Sequence, residues 1–298
     1  MSIPRQSLGI PTLDRLLGGG LVPGTLTVVA GATGAGKTQL GLQWANEGLA
    51  QEGRRGIICD LASRGDSQNH AEYARRLYGW ALESYPVAAA LALDLERVWD
   101  RGHPIGDHFQ PFSRAGRRVT RRDLDDDAWH DWKSELARIL RQSVCFYYEH
   151  FIRGVRRVVV DGIEPSERFG ESIQFEFFEY LYHQVLRKED EWAARELFRE
   201  RFRAESERVL AHRYDHRAIG CLYLYTTPQV FLDDLIAEPI GEGDIFSNAN
   251  TIILMGRTRQ EGRVGRALYV AKHRGSACGD DILPYRMTAQ GIDFAQGG

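Results

Sequence analysis

Lysine is scarce in this chain. Lysine and arginine together number 38 in 298 residues, yet only Lys37, Lys133, Lys188 and Lys272 are lysines. Cysteine is sparse too: Cys59, Cys145, Cys221 and Cys278 are scattered, with no CxxC pair, and no histidine cluster has zinc-ligand spacing. That argues against a zinc module or a disulfide framework. Three of the thiols lie in or beside apolar runs, as buried thiols of a reducing compartment do. Cys278 sits in a polar stretch and is assigned no role. Long apolar runs are missing as well. The longest, Val87 to Leu93, is too short to cross a bilayer, and Met1-Ser2-Ile3-Pro4-Arg5 lacks an apolar signal core. A cytoplasmic protein without a membrane partner is therefore expected. A net charge of −3 provides no global basic field to draw the chain to nucleic acid or lipid. With 43% hydrophobic and 27% charged residues the composition suits an ordinary globular protein with a real core. No repeat or low-complexity linker divides it. One domain over residues 1–298 is expected, with insertions near 100–135 and 187–217.

One of the four lysines falls in the most informative octet. Gly31-Ala32-Thr33-Gly34-Ala35-Gly36-Lys37-Thr38 reads G-x-x-x-x-G-K-T. The apolar run Thr25 to Ala30 precedes it and a helical stretch, Gln39 to Ala45, follows. Strand, glycine loop and helix are the context a phosphate-binding loop requires. Glycines let backbone N–H groups turn inward around phosphate oxygens, and the helix N-terminus adds partial positive charge. The candidate nucleotide-binding residues are Gly31, Thr33, Gly34, Ala35, Gly36, Lys37, Thr38 and Gln39. Lys37 would reach the β- and γ-phosphates of ATP, and Thr38 would place its hydroxyl on Mg²⁺. A chain that otherwise uses arginine keeps lysine where a compact ammonium is wanted.

The remaining pattern is α/β. Apolar strand segments at 25–30, 56–61, 155–160 and 219–225 read as continuous and doubly buried, as in a parallel sheet flanked by helices. Segments 250–255 and 266–271 alternate around a turn at Arg259 to Gly262 and read as a terminal hairpin. The basic run Arg114 to Arg122 and the acidic run Asp123 to Asp127 read as a solvated, self-compensating loop. Between Arg187 and Arg217, Trp192, Phe198, Phe202, Val209 and Leu210 recur at helical spacing, so a helix or helical pair packing one stripe on the sheet is expected. Val155 to Val160 ends in Asp161. Downstream of a phosphate loop, an acid at the end of an apolar strand is the expected Mg²⁺-side carboxylate.

These residues carry a resemblance. Leu8-Gly9-Ile10-Pro11-Thr12-Leu13-Asp14 through Gly18-Gly19-Gly20-Leu21, then Pro23-Gly24, resembles the lead-in of KaiC-like and RadA-like ATPases of the RecA superfamily. Asn250 to Met255, Gly265 to Ser276, and Tyr285 to Ile292 resemble the family's last strands. The resemblance implies a RecA-like core, and a ring of about six copies of the chain with ATP between neighbours. Its K-x-R-G motif, here Lys272-His273-Arg274-Gly275, implies a Lys272 and Arg274 that reach the next subunit's γ-phosphate. It also implies a polar γ-phosphate sensor at Thr226.

The pattern breaks at one place. Where KaiC-like proteins carry paired glutamates that activate water, this chain aligns Ala62 and Ser63. Asp60 lies two residues back along the strand, about 6–7 Å away, and Glu164 is the other substitute base. Tight binding of ATP with slow hydrolysis is therefore expected. The loops that face the axis in recombinases run from Gly162 to Ser172 and from Pro228 to Asn250. The first sets Glu164, Glu167 and Glu171 against Arg168 alone, and the second holds five acids and no lysine or arginine. Such loops would repel DNA phosphates. Ser247 is the one hydroxyl near the place where clock proteins phosphorylate themselves, and reads as a turn residue. The expected function is a nucleotide-dependent switch or scaffold that engages another protein. The alternatives are a non-catalytic ring glued by nucleotide and a DNA-handling recombinase or helicase.

Overall fold

The computed structural model describes residues 4–62, 69–86, 94–112, 125–163, 173–238, 244–260, 262–275 and 278–294. In chain order the elements are helix α1 (Pro11–Leu16), strand β1 (Leu26–Gly31), helix α2 (Lys37–Glu52), strand β2 (Ile57–Asp60) and helix α3 (His70–Tyr78). Strand β3 (His108–Phe109), helix α4 (Asp126–Ile152), strand β4 (Arg157–Ile163) and helix α5 (Ile173–Leu181) follow. Helices α6 (Asp190–Phe198) and α7 (Phe202–Ala211) lead to strand β5 (Gly220–Thr226) and helices α8 (Leu232–Ala237) and α9 (Asp244–Asn248). The chain then adds strands β6 (Thr251–Gln260), β7 (Arg263–His273), β8 (Leu283–Thr288) and β9 (Gly291–Phe294).

The strands among the described residues form one nine-stranded sheet in the order β3-β2-β4-β5-β1-β6-β7-β8-β9. The first six are mutually parallel, and β6 to β9 are antiparallel. The parallel strands are covered on both faces, which is why β1 and β4 are buried along their whole length. Strand alternation divides the core. Val28, Val158, Val160 and Tyr223 face a layer that includes α4, α5 and α6. Val29, Val159, Leu222 and Leu224 face the layer of α1, α2 and α3 with residues of β8 and β9. The mostly parallel α/β core and the antiparallel C-terminal strands agree with the sequence pattern. The terminal hairpin is longer than expected, because β6 and β7 pair as far out as Gln260 and Arg263.

Two expectations change. Residues near 100–135 are not a plain loop: His108 and Phe109 pair with Ile58 and Cys59 as an extra parallel strand at the sheet edge, and α4 begins at Asp126. The Arg114–Arg122 run lies outside the described residues. The stretch 187–217 does form a helical pair, but its stripe is narrower than the spacing suggests. Phe198 and Val209 are buried, whereas Trp192 and Leu210 are exposed. A break at Arg199, with φ at 49°, and a 3-10 turn over Arg199–Arg201 separate α6 from α7 and shift the helical phase. The pair is held down by Trp99, which stacks on Phe198 and donates its Nε1–H to Glu205 at 3.0 Å.

Candidate nucleotide site

The loop after β1 opens at the carboxyl ends of the parallel strands, where open α/β sheets form ligand crevices. A cleft of about 880 Å³ is lined there by Thr33, Gly34, Lys37, Thr38, Asp161 and Thr226, among others. Gly36 has φ at 102° as it enters α2, a left-handed conformation that side chains resist. A Cβ there would also stand 2.8 Å from the Met287 sulfur. The sheet's far end thus closes over the loop, and Tyr285 Oη donates to the Ala35 carbonyl at 2.5 Å.

Lys37 is the first residue of α2, and its ammonium folds back on the loop. Nζ donates to the Gly31 and Ala32 carbonyls at 2.8 and 3.1 Å. Burial lowers its pKa to about 8, against the opposing charge of Asp161. Thr38 Oγ1 donates to Asp161 Oδ2 at 2.8 Å. The two residues expected to share Mg²⁺ therefore already meet across the crevice. Burial opposes the Asp161 carboxylate, but hydrogen bonds from His70, Thr38 and the Gly162 N–H, with the charge of His70, hold its pKa below the usual value. Gly162 lies at a bulge in β4 with φ at 82°. A Cβ there would lie 2.3 Å from Asp60 Oδ1, so only glycine lets β4 and β2 end side by side.

Comparison with known proteins agrees with this geometry. Residues 6–97 match a family model described as the KaiC ATPase. The DNA repair protein RadA of Mycobacterium tuberculosis is 53% identical over 93 residues, which is 31% of this chain and 18% of RadA. The circadian clock oscillator protein KaiC of Rippkaea orientalis is 29% identical over 106 residues, 36% of this chain and 19% of that protein. Residues 6–97 are thus KaiC-like, and the mostly parallel sheet is consistent with a RecA-like core. The UPF0273 protein MK0039 of Methanopyrus kandleri is 24% identical over 98% of this chain and 92% of its own length. By contrast, the chain spans under a fifth of the RadA and KaiC relatives it matches.

The expected residues fall in three groups. Gly31, Thr33, Gly34, Ala35, Gly36, Lys37, Thr38 and Gln39 form or flank the loop, and Thr226, paired with Gly31 across β5 and β1, lines the cleft with Asp161. Lys272 and Arg274 stand at the far end of β7. Lys272 Nζ donates to the Phe246 and Ser247 carbonyls at 3.3 and 2.9 Å, and neither cation lines the cleft of its own chain. Asp60 does not line the cleft either. It accepts from the Ala62 N–H and from Gln110 Nε2, both at 2.9 Å, and Ala62 takes the place at the cleft wall. Glu164, with Glu167 and Glu171, lies outside the described residues. No helix among the described residues is long and apolar enough to cross a membrane.

Three neighbours escape sequence reasoning. Arg266 and Met287 line the cleft from β7 and β8. Arg266 Nε is buried with no hydrogen-bond partner. His70 opens α3 beneath the site, and its Nε2 is 3.1 Å from Asp161 Oδ2. Burial disfavours the His70 imidazolium, but the hydrogen bond and charge of Asp161 and the charge of Asp60 prevail and raise its pKa. Nothing in the local pattern marks Arg266 or His70, since neither sits in a motif.

Proposed function

We propose that this protein binds Mg-ATP and acts as a nucleotide-dependent oligomeric switch or scaffold with weak hydrolysis. The observation that carries the reading is the prearranged pair Thr38–Asp161 beside a buried Lys37 at one crevice. The residues fit the ion and the triphosphate. Thr38 and Asp161 supply the hard oxygens Mg²⁺ prefers, and Lys37 exchanges loop carbonyls for phosphate oxygens. When bound, Mg²⁺ neutralises charge on the β- and γ-phosphates. The loop N–H groups would orient the phosphates, and Thr226, which lines the same cleft, would sense the γ-phosphate. Arg266, with an unpartnered Nε at the cleft, adds a further anion contact.

Slow hydrolysis is supported by Ala62 at the cleft wall and by the engagement of Asp60 with Gln110 and the Ala62 N–H. Loss of a positioned base costs about 10²–10⁴ in rate. Lys272, half-buried and held on the Phe246 and Ser247 carbonyls, and Arg274, which is exposed, stand at the end of β7 outside their own chain's cleft, a placement that supports a ring with ATP at its interfaces. The RadA relative is by name a DNA repair protein, and DNA handling is the second reading. Its likeness covers 31% of this chain.

Native mass spectrometry with and without Mg-ATP, paired with steady-state phosphate release, tests the proposal. A closed oligomer on adding nucleotide, with turnover far below one per second, is expected. A monomer under all conditions, or rapid turnover, would contradict it.

A further inference from the structure

Three residues far apart in sequence converge one layer below the nucleotide cleft. Asp60 ends β2, His108 begins β3 and His70 begins α3. One donor atom from each lies within 4.8 Å of one from each of the others, and all three side chains are buried. His108 pairs with Ile58, so it shares a sheet face with Asp60 two residues on, and α3 lays His70 over that face. His70 Nδ1 is 3.7 Å from Asp60 Oδ2, and the two imidazole rings stand 5.2 Å apart.

Two ring nitrogens here lack partners. His70 Nδ1 and His108 Nε2 are buried with no hydrogen bond, in side chains 1% and 8% exposed. A buried, unsatisfied polar nitrogen costs about 1–3 kcal/mol, so two converging on one carboxylate call for a common partner. The surroundings have the order of a metal site's outer layer. His70 uses its other nitrogen toward Asp161 Oδ2 at 3.1 Å, which leaves Nδ1 as the nitrogen facing Asp60 and the one that a bound ion would engage in place of a proton. Gln110 Nε2 donates to Asp60 Oδ2 at 2.9 Å and orients that carboxylate.

We propose that Asp60, His70 and His108 form a buried site for one divalent transition-metal ion of the zinc type, distinct from the Mg²⁺ position at Thr38. Two imidazoles and a carboxylate are a borderline-soft set that selects zinc-like ions over magnesium. Ligand bonds of about 2.0–2.2 Å need donors closer than those seen here, and shifts of roughly an ångström in the three side chains close the gap. The ion would tie together β2, β3 and α3. Through His70 it would stand one hydrogen bond from Asp161, the acid of the phosphate site. This site depends on none of the proposed switch behaviour.

The test is metal binding by the full chain in excess Mg²⁺, which keeps the Thr38–Asp161 position magnesium-filled. The wild-type protein, loaded with zinc and passed through a desalting column, is expected to hold one zinc per chain by elemental analysis. Cobalt in place of zinc is expected to give visible d–d bands without the near-ultraviolet charge-transfer band of thiolate ligands. His108→Ala is expected to lose the zinc and the bands, and Gln110→Ala to weaken binding about 10–100-fold. A wild-type chain that holds only trace zinc and shows no cobalt bands overturns the proposal, and this arm needs no variant to fold. Full zinc stoichiometry with an unchanged cobalt spectrum in His108→Ala overturns it equally.

Discussion

Thr38 and Asp161 are 123 residues apart in sequence, yet Thr38 Oγ1 donates to Asp161 Oδ2 at 2.8 Å. Strand β5 lies between β1, which leads into the loop, and β4, which carries the acid. The contact therefore depends on sheet order. It sets the two groups proposed to hold Mg²⁺ side by side in the absence of nucleotide.

Asp161→Asn keeps the shape of this contact and removes the charge. Nucleotide affinity in Mg²⁺ is expected to fall about 10–100-fold, the worth of a charged hydrogen bond of roughly 1.5–3 kcal/mol. Affinity without Mg²⁺ should change little. Isothermal calorimetry in magnesium and in EDTA separates the two cases, and equal losses in both would contradict the assignment.

Arg266 lines the cleft with its Nε unpartnered. Arg266→Ala is expected to weaken ATP binding by about tenfold or more through loss of one charge-assisted hydrogen bond. Melting temperature without nucleotide should hardly move. Fluorescent-nucleotide titration reads the first and calorimetric melting the second.

Arg157 is a buried cation at the start of β4. Its guanidinium bonds Glu52 at 2.9 Å and the Ser7 and Trp44 carbonyls at 2.7 Å each, and also reaches Gln51. Removing it strands a carboxylate and two carbonyls and leaves a hole between the N-terminal segment, α2 and β4. Arg157→Ala is expected to cost about 3–5 kcal/mol, measured by urea unfolding.

His150 is buried on α4, with its Nδ1 2.7 Å from the Phe146 carbonyl and its ring 4.6 Å from that of Phe146. Burial lowers its pKa to about 4 from 6.5. The unfolded chain then takes up a proton below pH 6.5 that the folded chain refuses. Stability from this group is complete above pH 6.5 and is lost as pH falls toward 4. At pH 5 the loss is about 2 kcal/mol relative to pH 7. Urea midpoints of wild type and His150→Gln at both values check it. The variant should show the shallower fall.

Much of the fold and the phosphate loop was legible because the signals are local. Val28 and Val29, or Val158 and Val159, announce a strand buried on both faces by being apolar in succession. The G-x-x-x-x-G-K-T octet carries its own strand and helix. Asp161 was legible because it follows the apolar run Val158 to Val160, although β4 continues past it to Ile163. What stayed hidden depends on sheet order. Spacing shows no zinc-like histidine cluster, yet the structure brings His70 and His108 to Asp60, because β3 joins the sheet edge beside β2 and α3 folds over it. A two-residue strand is too short to leave a periodic signal. Arg266 is one exposed-looking arginine among many until β7 is laid beside β6.

Calorimetric titration of the purified chain with Mg-ATP, repeated on Lys37→Ala, tests the central claim most directly. Wild type should release or absorb heat at a defined stoichiometry. At a hundredfold excess over Kd it should also gain about 2.7 kcal/mol of stability, seen as a higher melting temperature. Lys37→Ala should show neither. A wild-type chain that gives no heat and melts at the same temperature with and without Mg-ATP would contradict a nucleotide role for the crevice.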